Sequence, residues 1–372
     1  MRFSARSLAH CAAAASCLLS TTLADSFKST SAYINYTTVT GFFLQDEAST
    51  NSTTFDFMTT NFGLINRTYP SDATLKHKGL TQWQRFKHQV HVLNQDSPHN
   101  VQYKLLYMGR HGDGYHNDAQ AFYGTPAWNC YYSELNGNAT VTWSDAHLSP
   151  VGVTQALAVN TFWASEIADQ KIPTPQSFYT SPLTRCLQTA NYTFNGLDLP
   201  AKHPFVPTVK EYFRESISGH TCDRRSNETY IHDLFPSYEI EAGFTKDDEL
   251  WEAFHGETND DQDTRSKNVL DQVFSSDDSA YVSFTSHSGE ISSILRGESQ
   301  GSKTQRDGGL LTWLPAHSPW PPSLWSEHWS CHSSTGEGTG NWRNSTNYRK
   351  SSVHSALHMH LTACGHCHYF CL

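Results

Sequence analysis

The sequence is poor in charge and lacks long apolar runs. Charged residues make up 17% of its 372 positions, and the mean hydropathy of −0.54 comes from Ser, Thr, Asn and His rather than from ions. Lys and Arg number 26 against 36 Asp and Glu, which gives a net charge of −10. A nucleic-acid-binding protein needs a basic face to neutralise phosphates, so this balance argues against nucleic acid as a partner. A membrane helix needs roughly 18 apolar residues in a row, so we expect no membrane contact by the mature form.

The N-terminus has the features of a targeting segment. Arg2 and Arg6 precede an apolar stretch from Leu8 to Leu19, and Ala24 ends a small-residue cleavage site. This order predicts a secretory signal peptide over residues 1–24. Sequons of the form Asn-X-Ser/Thr occur at Asn35, Asn51, Asn66, Asn138, Asn191, Asn227 and Asn344. Together these features predict a glycoprotein that is secreted through the secretory pathway.

Few cysteines remain for disulfides once the signal peptide is removed. The body of the chain holds Cys130, Cys186 and Cys222, and four more cysteines lie beyond residue 330. An oxidising compartment permits one disulfide among the three, with one thiol left over. The sequence does not fix the pairing. We expect Cys130 with Cys222, because Cys186 lies inside a motif discussed below.

From residue 101 onward, strand-like and helix-like patterns alternate. Strands are predicted at Val101–Met108, Ser177–Thr180, Phe205–Phe213 and Ala280–Thr285, with a further strand-like run at Val39–Leu44. Helices are predicted at Thr81–Leu93, after Ser149-Pro150, after Ser181-Pro182, at Asp247–His255, at Thr264–Phe274 and at Glu290–Leu295. The apolar positions Val153, Leu157 and Phe162 are predicted to be core. Such alternation predicts an α/β fold, a three-layer α/β/α sandwich with a mostly parallel central sheet.

The same pattern divides the chain. Residues 25–100 are rich in Ser, Thr and Asn and are predicted to be an N-terminal extension that packs on the α/β domain at 101–296. Residues 297–372 form an atypical tail, without regular periodicity, in which we expect no further strand. The tail is expected to be disordered or a gene-model artefact, because Gly297-Glu298-Ser299 can be encoded by a sequence containing an intron donor. A zinc cluster around Cys364 and Cys367 is disfavoured, because no second spaced pair completes it.

Three predicted strands end in groups that can be cationic. Arg110-His111 follows the first strand, Arg185 lies in the turn and helix after the second, and His287 follows the last. In parallel α/β sheets, ligands bind beyond the carboxyl ends of the strands, and helix N-termini there favour anions. The sequence therefore predicts a phosphate pocket at this edge.

These residues stand in motifs that resemble the histidine phosphatase superfamily, in its phosphoglycerate mutase-like branch. The motifs are Arg110-His111-Gly112, Ser181-Pro182-Leu183-Thr184-Arg185, Arg214-Glu215-Ser216 and Ser286-His287-Ser288-Gly289, in that order. Two further stretches, Tyr123 to Trp128 and His220 to Arg225, resemble fungal phosphomutase-like proteins most. One departure is Asp113, where that group usually carries Glu, so we expect a looser carboxylate contact there. The acid phosphatase and phytase branch is disfavoured, because Ser288 rather than Asp follows His287.

The resemblance implies roles for six residues. His111 is the expected nucleophile, which carries the phosphoryl group as phosphohistidine, and Glu215 is the expected proton donor. Phosphate oxygens are expected to be held by Arg110, Asn117, Arg185 and His287, with His287 protonated. His116 and His220 are expected to form local hydrogen bonds, while Arg224 and Arg225 either line the substrate entrance or form structural salt bridges.

The expected function follows from these roles. A secreted phosphatase would hydrolyse a small-molecule phosphate ester through phosphohistidine, without a metal or another cofactor. A phosphomutase shares the same residues, because the two activities differ only in whether water or a second hydroxyl takes the phosphoryl group. An inactive homologue that only binds a phospholigand is a third alternative.

Overall fold

Parallel strands form the centre of the protein. The computed structural model describes residues 34–51, 53–76, 78–299 and 312–314, and the predicted signal peptide and most of the tail lie outside them. The strands are β1 (Leu105–Arg110), β2 (Ser177–Thr180), β3 (Thr208–Val209), β4 (Glu239–Ile240), β5 (Tyr281–Ser286) and β6 (Thr312–Leu314). The helices are α1 (Gln82–Asp96), α2 (Tyr115–Tyr123), α3 (Thr125–Cys130), α4 (Pro150–Ser165), α5 (Thr184–Phe194), α6 (Glu228–Leu234), α7 (Asn259–Phe274) and α8 (Ser288–Ser299).

The sheet has the order β4-β3-β2-β5-β1-β6, and every pair is parallel. Strand β5 is central, and all six of its residues are buried, as expected where helices cover both faces. Alternate side chains of β1 point to opposite faces. Tyr107 packs in one cluster with residues of α1, α4 and α5, and Met108 packs in another with residues of α7 and α8. The α/β sandwich predicted from the alternation is confirmed.

The N-terminal segment completes the first of these clusters. Phe43, Phe62 and Trp83 are fully buried together with Tyr107 and Trp163 of the α/β unit. The Phe62 ring centroid lies 4.8 Å from that of Trp163, and this close aromatic packing stabilises the junction. The expected packing of the extension is confirmed, whereas its boundary at residue 100 stays a prediction.

Four helices, α1, α4, α6 and α7, begin at a residue whose side chain accepts a backbone N–H of the first turn. The Ser149 hydroxyl accepts the backbone N–H of Gly152 and caps α4 as predicted. The helix expected from Ser181-Pro182 begins three residues later, at Thr184. The Ser181 hydroxyl accepts the Leu183 N–H at 3.3 Å and hydrogen-bonds the ring of His287, and it caps no helix.

Five other expectations are wrong. Asp247–His255 forms turns rather than a helix, and Val39–Leu44 contributes only a single bridge, from Phe43 to Leu64. Leu157 is 48% exposed, because the buried face of α4 runs through Ala156 and Trp163 instead. A strand does follow α8: β6 pairs in parallel with Tyr107 to Gly109. Among the described cysteines no disulfide joins Cys130 to Cys222.

In the described part of the chain, no helix has the length and apolarity to cross a membrane.

Candidate active site

The strand ends meet as the parallel register requires. Arg110 pairs with Ser286 across β1 and β5, and Thr180 pairs with Thr285 across β2 and β5, so the three loops leave the sheet side by side. The backbone N–H of His111 donates to the Ser286 carbonyl at 3.0 Å. As a result the rings of His111 and His287 lie with centroids 5.1 Å apart. The structure therefore brings the two histidines together, and the phosphate pocket between them stays a prediction.

The His111 ring is buried and held in one orientation. Its Nδ1 lies 2.7 Å from the Gly112 carbonyl oxygen, which can only accept, so Nδ1 carries the proton. Burial, and then the positive charges of Arg185 and Arg110, lower the pKa of His111 well below its usual range. The ring is therefore neutral, and Nε2 retains the lone pair that a nucleophile needs.

Close backbone packing positions the loop that carries His111. A Cβ on Gly112 would lie 2.7 Å from the Gly152 carbonyl oxygen at the start of α4, so no larger residue fits. The Gly112 N–H donates to the Thr189 hydroxyl of α5 at 3.0 Å. The neighbouring Asp113 accepts the Ser149 hydroxyl at 2.6 Å, so the looser contact expected for Asp113 is not found.

Arg185 is almost fully buried and contacts several groups of the site. One terminal nitrogen donates to the Cys222 carbonyl at 2.7 Å, and the other donates to His287 Nδ1 at 3.2 Å. The Asp223 carboxylate lies 3.7 Å from the guanidinium. The Arg185 Nε is buried without a hydrogen-bond partner among the described residues. This places a fixed, planar donor beside the two histidines, the geometry that suits phosphate oxygens.

Arg110 supplies a second guanidinium at the end of β1. Burial lowers its pKa, and the nearby Glu215 carboxylate opposes that shift. A guanidinium remains protonated under such conditions, so the site keeps two positive charges. Both charges act on His111, as its lowered pKa shows.

The His287 ring is neutral in the ligand-free site, whereas the protonated ring predicted above belongs to the phosphate complex and stays a prediction. Its Nδ1 accepts from Arg185, so Nε2 carries the proton and donates to the Ser181 hydroxyl at 2.8 Å. Burial and the Arg185 charge lower the pKa of His287 well below its usual range. The ring is therefore neutral here. A phosphate dianion bound next to it would raise the pKa again.

Glu215 reaches the same site from the loop after β3. Its Oε1 accepts the Ser216 N–H at 3.0 Å, and Oε2 lies 3.5 Å from the Ser288 hydroxyl. Burial, and then the negative charge of Asp223, raise the pKa of Glu215. A raised pKa keeps the acid protonated at higher pH, as a proton donor requires. A Cβ on Gly289 would lie 2.0 Å from Oε1, which explains why glycine follows the Ser286-His287-Ser288 run.

Arg265 of α7 fixes the backbone that carries Glu215. Its guanidinium donates to the carbonyls of Tyr212 at 2.6 Å, Arg214 at 3.1 Å and Glu215 at 3.2 Å. It also forms ion pairs with Glu257 at 2.5 Å and Glu290 at 3.1 Å. The segment that carries Glu215 is thereby held at three of its carbonyls by one guanidinium.

Asn117 stands in the first turn of α2. Its Oδ1 accepts the Gly114 N–H at 3.0 Å and so caps the helix start. Its place in the phosphate pocket stays a prediction. The next residue back, His116, is closer to the chemistry than expected: its ring centroid lies 5.3 Å from that of His111.

His116 lies beside His111, although the sequence motifs predict only a local hydrogen bond for it. Its Nδ1 is buried with no hydrogen-bond partner among the described residues, so the expected local hydrogen bond is not found at that atom. Burial, followed by Arg185 and Arg110, lowers its pKa well below the usual range. The sequence signal for this placement is that His116 lies in the first turn of α2, shortly after Arg110-His111-Gly112.

The residues from His220 to Arg225 make different kinds of contact. Arg225 is buried and pairs with Glu211 at 2.7 Å, so the structural alternative applies to it. Arg224 lies over the Trp251 ring, 5.0 Å from the centroid, and donates to Asn136 and Ser144. Asp223, for which the sequence motifs predict no role, lies 3.7 Å from Arg185, and its negative charge helps to raise the pKa of Glu215.

Comparison with known proteins identifies the relatives of this chain. The sequence profile described as "Histidine phosphatase superfamily (branch 1)" matches residues 131–305. The "Probable phosphoglycerate mutase" of Arthroderma benhamiae is 48% identical over 263 residues, which are 70% of this chain and 78% of that protein. "Probable phosphoglycerate mutase PMU1" of Saccharomyces cerevisiae is 33% identical over 237 residues, 59% of this chain and 80% of that protein. "Phosphomutase-like protein 3" of Candida albicans is 39% identical over 194 residues, 52% of this chain and 59% of that protein.

The chain therefore belongs to the histidine phosphatase superfamily, and its relatives include fungal proteins named for mutase activity.

Proposed function

We propose that this protein is a secreted phosphatase that hydrolyses phosphate monoesters through a phosphohistidine on His111. The observation that carries the proposal is the neutral, oriented His111 ring beside Arg110, Arg185 and His287. Nucleophile and positive donors stand together, as phosphoryl transfer requires. The substrate is a small-molecule phosphate ester.

In the first step, His111 Nε2 attacks phosphorus, and the bond from phosphorus to the ester oxygen breaks. Glu215 gives its proton to the departing oxygen, so the alcohol leaves neutral. Arg110 and Arg185 stabilise the negative charge on the phosphoryl oxygens, and His287 assists once the dianion has raised its pKa. In the second step, the Glu215 carboxylate takes a proton from water, which attacks phosphohistidine and releases phosphate and free His111.

A phosphomutase is the nearest alternative, because its first step is identical. It would pass the phosphoryl group to a second hydroxyl instead of water, and the names of the relatives favour it. The signal peptide predicted at residues 1–24 favours hydrolysis, since phosphoglycerate is a cytosolic metabolite. A phospholigand-binding protein without activity is disfavoured by the presence of both His111 and Glu215.

Passage through the secretory pathway has support from the surface. Four sequon asparagines, Asn51, Asn66, Asn138 and Asn227, are exposed and so accessible to carry a glycan. Expression with the native N-terminus in a secreting host tests this part. We expect protein in the medium that begins after residue 24 and shifts in mass on deglycosylation.

The activity is tested with 4-nitrophenyl phosphate, comparing the wild-type protein with His111→Ala. We expect turnover in the wild type and its loss in the variant, whereas equal turnover in both would remove the enzymatic interpretation. Adding 3-phosphoglycerate separates the two activities. Inorganic phosphate as the product supports hydrolysis, and 2-phosphoglycerate without phosphate release supports the mutase.

A further inference from the structure

A group of metal-binding side chains lies beside the phosphate pocket. His220, Cys222 and Asp223 stand around one 3₁₀ turn, and one ligand atom from each lies within 4.8 Å of the other two. Cys222 and Asp223 are buried, and His220 is half-buried. The proposed phosphatase reaction uses none of these three side chains directly.

The backbone of this turn is fixed by three other parts of the chain. The His220 carbonyl accepts from the Trp251 indole at 2.9 Å, and the Cys222 carbonyl accepts from Arg185 at 2.7 Å. The Asp223 carbonyl accepts from Arg214 at 2.5 Å. Because each carbonyl is held, the three side chains do not pay a large entropic cost to meet.

The donor set is that of zinc. An imidazole nitrogen, a thiolate and a carboxylate oxygen are the common zinc ligands, at about 2.0–2.3 Å from the metal. Ligands of a tetrahedral site are then about 3.5 Å apart, so these atoms need to close by ~1.3 Å at most. Three protein ligands leave one coordination position for water.

The charges balance despite the nearby cation. Metal binding displaces the Cys222 thiol proton to solvent, so the ligands carry two negative charges against Zn²⁺. The same Asp223 oxygen, Oδ1, lies 3.7 Å from Arg185 and 3.7 Å from the Cys222 sulfur, so a metal bound to it competes with the guanidinium for that oxygen. Arg185 thereby loses an ion-pair partner, while its hydrogen bonds to the Cys222 carbonyl and to His287 remain.

We propose that His220, Cys222 and Asp223 form a zinc site, through which Zn²⁺ inhibits the enzyme by drawing Asp223 away from Arg185. The inhibitory part rests on the proposed function, whereas metal binding does not. Binding is therefore measured separately from turnover.

The binding test uses Co²⁺ on the purified full chain. Co²⁺ replaces Zn²⁺ and gives a thiolate-to-cobalt absorption band in the near ultraviolet when a cysteine is a ligand. We expect this band in the wild type, its displacement by Zn²⁺, and its loss in Cys222→Ser. The matched control is Cys364→Ser with Cys367→Ser, which removes two cysteines from the C-terminal part of the sequence and should leave the band intact.

The second variant is His220→Phe, which keeps the aromatic contact with Trp128 and removes the ring nitrogens. Loss of even an outer-shell partner costs about 10–100-fold in metal affinity, so we expect at least ~10-fold weaker binding of Co²⁺ and Zn²⁺. If Cys222→Ser fails to fold, the metal affinity of His220→Phe tests the zinc site instead.

The inhibition test compares turnover of 4-nitrophenyl phosphate with and without Zn²⁺, each variant relative to its own metal-free rate. We expect inhibition of the wild type and of the tail variant, at a concentration at least ~10-fold lower than for His220→Phe. A wild type without the band, a band that survives Cys222→Ser, or a band lost only in the tail variant would overturn the zinc site. Binding without inhibition would overturn its effect on Arg185.

Discussion

Gly289→Ala should separate catalysis from stability. The added Cβ would lie 2.0 Å from Glu215 Oε1 and 2.9 Å from the Ser216 hydroxyl. An ordinary non-bonded contact is about 3.5 Å, so the carboxylate has to move by ~1.5 Å. Misplacing a catalytic group by 1 Å can cost about 100-fold in rate, and we expect kcat to fall by about that factor. Thermal stability should change less than kcat, because the roughly 1 kcal/mol that alanine gains over glycine inside a helix offsets part of the cost of moving the carboxylate.

The leaving group makes this assay more specific. An alkyl phosphate needs its departing oxygen protonated far more than 4-nitrophenyl phosphate does, so the alkyl ester should lose more activity in Gly289→Ala. The matched control is Gly109→Ala, since a Cβ there meets nothing within 4 Å and faces a cavity of about 60 Å³. It should change kcat by about threefold at most, under ~1 kcal/mol of barrier. If Gly289→Ala keeps wild-type kcat on both esters, Glu215 does not donate the proton.

Three further predictions concern the groups around His111. Because the pKa of Glu215 is raised, the acid stays protonated to higher pH. Turnover of an alkyl phosphate should therefore fall only as the pH rises through the raised pKa of Glu215, and Glu215→Gln should remove this fall from the pH–rate profile. His116→Ala should lower kcat/KM by about tenfold, the worth of one hydrogen bond to substrate, and an unchanged kcat/KM would exclude contact. In Arg265→Lys the shorter ammonium group cannot hold three carbonyls at once, so the variant should lower kcat and alter the fall of the rate at high pH, with little change in KM. A change in thermal stability alone would argue against a positioning role for Arg265.

The sequence predicted those parts of the site that depend on topology. Parallel strands must end at one edge, so Arg110, His111 and His287 could be brought together from their order alone. The α/β sandwich followed from the alternation of patterns for the same reason. The motif glycines also have local causes, as the contact between Gly289 and Glu215 illustrates.

What the sequence did not predict depends on the third dimension. Burial beside two guanidiniums makes His287 neutral, and no motif carries that information. His116 enters the site because α2 begins immediately after the first loop, a geometry that residue type alone does not reveal. The short strand β6 lies in a segment without apolar alternation, so local pattern could not indicate it. The prediction that Leu157 is in the core was wrong because an apolar residue on a helix need not face the core.

The central claim is that His111 carries the phosphoryl group. Rapid quenching in base of the wild-type enzyme with a ³²P-labelled phosphate ester, followed by peptide mapping, tests it directly. We expect label that is stable in base and labile in acid, on the peptide containing His111, and absent from His111→Ala. Label on another residue, or full turnover in His111→Ala, would contradict the account.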